Sequence, residues 1–251
     1  MNVLAKVKGK LNRDGLMATV IAILRFPFGF RKRSVYRNML KQSSTKQRFS
    51  EIYQKNIWSS AESGSGLGSE VGYTERLRSW LIAAIPKYNV RLLVDASCGD
   101  FNWMQHVLTE VEVEYFGFDI VDSIIDENKK NFSNEKIHFG VADICVDELP
   151  SCDFLIVRDC LFHLSFNDVD RFLNNISRID YKYLLTTTHI VDSAFSNSDI
   201  TTGDFRLIDV FDAPFSFDNG SVVERVDDYP VGFSIPREMV LIAKADVPNV
   251  R

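Results

Sequence analysis

Cysteine is scarce. Only Cys98, Cys145, Cys152 and Cys160 occur in 251 residues, and their spacings match no zinc knuckle or redox pair. Three of them lie in or beside apolar runs, which reads as reduced thiols in a cytosolic protein rather than a disulfide scaffold. No His, Asp and Glu cluster has ligand spacing, so no metal is expected. The chain also lacks a long hydrophobic run near its start. The segment Gly15 to Leu24 has ten apolar or small residues, against the roughly 20 that a membrane-crossing helix needs. It follows several charges and has no clean small-residue cleavage site, which argues against a secretory signal. No internal repeat is visible.

What is present fits a globular enzyme-sized chain. Apolar content of 45% and charged content of 25% are ordinary. The length allows one large α/β domain, residues 51–251, with an extension, residues 1–50. Charge separates the two. Residues 1–50 hold 12 of the 29 basic residues and one of the 34 acids, leaving 17 basic and 33 acidic residues in the remainder. Such a basic, partly apolar, helical arm suits an anionic surface. Phe26, Phe28 and Phe30 would dip into a membrane interface while Arg31, Lys32 and Arg33 meet headgroups. The plainer alternative is a helix packed on the body with a solvated basic face. Nucleic acid is not expected as a partner, because the acidic body repels phosphates.

The body alternates. Apolar runs predict strands at 91–97, 114–119, 136–142, 153–158 and 182–188. Helical spacing appears at 102–110, 121–131 and 166–178, and from Thr74 to a stop before Pro86. Two further strands, 221–227 and 238–246, follow without a helix between them. The expected fold is a Rossmann-like, doubly wound α/β sheet of seven strands, mostly parallel, closing in an antiparallel hairpin. Residues 62–69 contain three serines and three glycines, yet Glu62 and the nearby Trp58 argue for a placed loop rather than a linker.

The first strand ends in Asp95-Ala96-Ser97-Cys98-Gly99-Asp100-Phe101, and the second ends in Asp119, 20 residues after Gly99. Strand, tight turn, helix, strand and acid are the layout of a nucleotide site. A dinucleotide turn would want three glycines, and an acid at the strand end would oppose a pyrophosphate. Asp95 instead suits a cationic or zwitterionic ligand without phosphate, such as S-adenosylmethionine.

These residues resemble the first motif of class I S-adenosylmethionine-dependent methyltransferases, with Ser97 and Phe101 in place of two of its three glycines. Residues 62–69, 95–104, 158–165 and 184–188, with Gly203 to Arg206 and Ala213 to Phe215, are similar to a bacterial subgroup often linked to surface-glycan synthesis. The resemblance covers residues 51–217. It implies that backbone from Asp95 through Ser97 to Gly99 wraps the methionine part of the cofactor, with Asp95 near the ammonium. Asp119, beside Ile120, would take the ribose hydroxyls; its plainer role is a helix N-cap, for which Asp122 is also available. Asp143 would accept the adenine amino group, with Ile144 against the ring, where the alternative is a loop acid.

Arg158 and Asp159 are unusual so close to a buried strand whose C-terminal end faces the crevice. Arg158 is assigned to the cofactor. His163 is the candidate base, since histidine takes a proton near neutral pH; the alternative is a helix-start histidine bonded to backbone. Asp159 would orient it or act as base itself. Glu62, Ser63, Ser65, Asp204 and Arg206, by resemblance, line the substrate or close over the cofactor. His106 and His189 receive no role. The expected activity is methylation of a sugar hydroxyl on a glycan or its precursor, in the cytoplasm, with the arm at the inner membrane face. The rivals are a small-molecule or natural-product methyltransferase and a catalytically inactive methyltransferase-like module.

Overall fold

The computed structural model describes residues 38–41, 44–230 and 235–248. Nearly all of the basic extension, and with it the expected helix there, lies outside the described residues. Contacts divide the chain into Met1–Gln42 and Ser43–Arg251. The second unit therefore begins before residue 51. Helix α1, Thr45–Gln54, runs across the expected boundary. Its Lys46 bonds Asp122 at 2.7 Å, and Arg48 donates to the Thr202 carbonyl at 3.0 Å. Two of the basic residues counted with the arm thus hold a helix of the body.

Seven strands form one sheet in the order β3-β2-β1-β4-β5-β7-β6. They are β1 Leu92–Asp95, β2 Glu114–Asp119, β3 Ile137–Val141, β4 Cys152–Val157, β5 Tyr181–His189, β6 Val222–Asp227 and β7 Arg237–Ala243. β1 to β5 pair in parallel, and β7 runs antiparallel to both β5 and β6. This is the expected architecture. Phe154 to Val157 are fully buried because both faces are covered. Leu93, Phe154, Ile156 and Leu241 face one core; Val94, Leu155, Val157 and Val240 face the other. β6, at the edge, alternates half-buried and exposed residues.

Helices α2 Glu75–Lys87, α3 Met104–Leu108, α4 Asp122–Phe132 and α5 Phe166–Ser177 complete the layers. Pro86 does not stop α2. It sits in the last turn, where its missing N–H costs one bond, and Tyr88 N and Val90 N close the end on Ala84 and Ile85 carbonyls. α5 starts at Ser165, whose hydroxyl accepts Asp168 N at 3.2 Å, a cap typically worth about 1 kcal/mol. The chain leaves β1 towards β2 on one side and returns to β4 on the other. The crevice at the C-terminal ends of β1 and β4 is the switch point at which such sheets bind ligands.

Candidate functional site

A cleft partly open to solvent lies at that switch point. Its floor is the turn after β1. Gly99 takes φ +55°, and a Cβ there would lie 2.3 Å from Ser65 Oγ. Phe101 takes φ +60°, a conformation that glycine adopts freely and other residues rarely. Its ring is anchored against Tyr115, Phe132 and Phe139 at 5.2, 5.2 and 5.0 Å. The turn thus keeps a glycine-like backbone at a position where the sequence has phenylalanine. Ser97 Oγ donates to the Arg158 carbonyl at 3.0 Å, tying β1's turn to that of β4.

Two acids face this floor. Asp95 is 2% exposed, and Tyr115 donates to its Oδ2 at 3.1 Å. Its Oδ1 is sealed from water and accepts no hydrogen bond. Burial pushes its pKa up to about 7, against the pull of Tyr115 and the Ser97 N–H. Asp119 accepts Gly99 N at 3.2 Å and Val121 N at 3.0 Å. Burial raises it to about 6, opposed by those bonds. It does not cap α4, which begins at Asp122 after Val121, so the carboxylate stays in the cleft. Asp122 makes no capping bond either. Further along, Ile120 and Ile144 supply apolar walls. Asp143 uses Oδ1 to accept Cys145 N at 3.0 Å.

At the other end stand Arg158, Asp159 and His163 with Trp58 and Trp103. Arg158 is buried and bidentate on Asp228, with Nε at 2.9 Å and Nη2 at 3.0 Å, and it lies 5.1 Å over the Trp103 ring. Asp159 has φ +53° and sits between Arg237 at 2.8 Å and Arg158 at 3.5 Å. Burial opposes its charge, but the two arginines outweigh burial and hold it below the usual carboxylate range. His163 Nδ1 donates to the Asp204 carbonyl at 2.7 Å, which leaves the lone pair on Nε2. Burial lowers its pKa below the ordinary histidine value, favouring the neutral ring. Trp58 and Phe162 pack on it at 5.5 and 4.6 Å.

Of the sequence-derived residues, Asp95, Ser97, Gly99, Asp119, Ile120, Asp143, Ile144, Arg158, Asp159, His163 and Ser65 line one cleft. Glu62, Ser63, Asp204 and Arg206 do not. Glu62 accepts Val71 N and Asn102 Nδ2, both at 2.7 Å, and so pins its own loop. Ser63 is buried and bonds Asp100. Asp204 reaches the site only through its backbone carbonyl. Arg206 is sandwiched over Phe166 and Phe215 at 4.8 and 5.6 Å. Asp159 makes no hydrogen bond to His163, which Asp204 orients instead. Among the residues missed are Phe49 and Tyr53 of α1, which line the cleft one helical turn apart. Arg237 and Asp228, partners of Asp159 and Arg158, were missed as well. A lone arginine opening an apolar strand was the available signal for Arg237.

Residues 94–180 match a family profile described as "Methyltransferase domain". Comparison with curated proteins finds no match. Among solved structures, magnesium protoporphyrin IX methyltransferase from Synechocystis PCC 6803, with bound SAH, aligns with TM-score 0.51 at 11% identity. The alignment covers 90% of this chain and 99% of that one. The methyltransferase domain of bacterial CtHen1 aligns at 0.52 and 14% identity over 68% and 99% of the two chains. The [4+2]-cyclase SpnF aligns at 0.52 and 11% identity over 67% and 80%. Residues 94–180 thus match a methyltransferase-domain profile, the seven-stranded sheet has the Rossmann-like fold of these solved methyltransferases, and S-adenosylmethionine is the cofactor expected from the motifs.

Proposed function

We propose that the protein transfers the cofactor's methyl group to an acceptor hydroxyl, with His163 as base. The donor set fits the group. The unpartnered buried oxygen of Asp95 is a seat for an ammonium. Asp119 has lone pairs left for ribose hydroxyls, and Asp143 with Ile120 and Ile144 would hold the adenine. When bound, the cofactor supplies a methyl carbon already activated by its sulfonium. The protein's task is to hold the acceptor oxygen near that carbon, at about 3 Å, and to exclude water. His163 Nε2 takes the hydroxyl proton. The observation that carries this reading is a buried histidine, fixed through Nδ1 on a backbone carbonyl, in the same cleft as Asp95 and Asp119. Asp159, held ionised by two arginines, is the poorer base.

For the acceptor we favour a sugar hydroxyl of a glycan or glycan precursor. Support comes from the motif resemblance over residues 51–217 and from the basic arm, which would hold the cytoplasmic protein beside anionic lipid. Among the described residues no helix is long and apolar enough to cross a membrane. The test is incubation with methyl-labelled S-adenosylmethionine and a panel of lipid-linked glycans, free sugars and small phenols, read by mass. A gain of one methyl on a glycan supports the assignment. Transfer to the phenols alone would move it to a small-molecule methyltransferase. A third reading is a catalytically inactive methyltransferase-like binding module. Cofactor binding without transfer to any member of the panel would support it.

A further inference from the structure

We propose that residues 60–69 form a latched strap over the cofactor site and that Asp100 is the latch, a positioning residue that sets how fast cofactor leaves. This rests on S-adenosylmethionine being the ligand of the cleft. Asp100 does not line the cleft; Ser65 and Ser69 of the strap do. Ser63 Oγ donates to the Asp100 carboxylate at 2.9 Å, and Gly64 N donates to it at 2.8 Å. In return Asp100 N donates to Ser65 Oγ at 2.9 Å, and Ser65 N donates to Ser63 Oγ at 3.1 Å. One residue of the cofactor turn therefore grips three consecutive strap residues.

The strap fits against the site with no room for side chains. A Cβ at Gly64 would lie 2.3 Å from the Tyr53 ring, and one at Gly68 would lie 2.5 Å from Asp159 Oδ2. Gly66, at φ +98°, lets the chain pass Trp58, with a Cβ there 2.9 Å from that residue. The Gly68 carbonyl accepts Arg158 Nη2 at 2.7 Å. Asn102 adds a bond to the Ser69 carbonyl at 2.9 Å. These tethers run to the two turns that meet at the cleft: to Asp100 and Asn102 after β1 and to Arg158 after β4. Ser65 and Ser69 line the cleft beside the 95–99 backbone, so a ligand lying there leaves faster when these bonds yield.

Stopped-flow tryptophan fluorescence with S-adenosylhomocysteine on the full chain tests this, since Trp58 and Trp103 line the cleft. Asp100→Ala should raise the off-rate at least tenfold. Ser63→Ala, which keeps Asp100, should raise it several-fold; Asp100→Asn, which keeps one acceptor oxygen, should fall between wild type and Asp100→Ala. Asp100→Ala protein that has lost its fold is recognised by circular dichroism, and Ser63→Ala then decides alone. Off-rates within twofold of wild type in folded variants overturn the latch. Wild-type protein that does not bind S-adenosylhomocysteine overturns the cofactor assignment, and the latch with it.

Discussion

Cofactor affinity should depend on pH through Asp95. Its carboxyl, lifted to about 7 by burial, must be ionised to meet an ammonium on Oδ1. At pH 8 the free protein already holds it mostly charged. At pH 6 about one molecule in ten is charged, so binding must expel a proton and costs about 1.4 kcal/mol, or tenfold in Kd. Asp119, at about 6, adds a second proton below that value. Calorimetry of S-adenosylmethionine binding in buffers of different ionisation enthalpy reads both quantities. Through Asp95, Kd should rise about tenfold between pH 8 and pH 6, with close to one proton released by that group at pH 6. Asp95→Asn should bind more weakly at pH 8 and lose the part of the pH dependence between 8 and 6. A wild-type Kd that is flat from pH 8 to 5.5, with no proton release, would refute the role given to Asp95.

The same shift has a sign for stability. An acid whose folded pKa lies above its unfolded value of roughly 3.9 makes the ligand-free fold lose stability as pH rises from about 4 to 7. Asp95→Asn should therefore raise the Tm of free protein at pH 8 and leave it nearly unchanged at pH 4, as thermal melts would show. His163→Ala should lower turnover by roughly 10²–10⁴-fold with little change in cofactor affinity. The acid limb of wild-type kcat should lie below pH 6.5, because burial lowers that histidine; an unchanged rate in the variant would dismiss it as base. Phe101→Gly would relieve the left-handed backbone but remove a buried ring, and the ring dominates: a net loss of about 2–4 kcal/mol is expected by urea unfolding. The basic arm should bind anionic vesicles at low salt. A chain beginning at Ser43, which keeps α1 with Phe49 and Tyr53, should lose that binding and retain cofactor affinity.

The sheet was legible because its strands are apolar in the manner of a doubly covered sheet, and the hairpin because residues 221–246 lack helical spacing. Asp95 and Asp119 stood out as acids at strand ends, where burial without a partner is costly. Other features depend on the fold itself. The boundary at residue 50 splits the body's first helix, because Lys46 and Arg48 look like part of a basic tail. Their contacts to Asp122 and Thr202 tie them to the domain. Arg206 and Asp204 sit in a chemically suggestive run, but stacking between two phenylalanines turns Arg206 away from the cleft. Arg237 joins Asp159 through the antiparallel return of β7, a pairing that no local pattern encodes. Phe101 shows the opposite case: the sequence departs from glycine, and the turn keeps a glycine-like backbone because a buried aromatic cluster holds it.

Cofactor placement is tested most directly by calorimetry of S-adenosylmethionine on wild type and Asp119→Ala. Asp119 is the acid proposed to accept the two ribose hydroxyls, and hydrogen bonds to a charged group contribute roughly 1.5–3 kcal/mol each. The variant should bind at least tenfold more weakly while its circular dichroism is unchanged. Equal affinity in the two proteins, or no binding to wild type, would contradict the placement of the cofactor in this cleft.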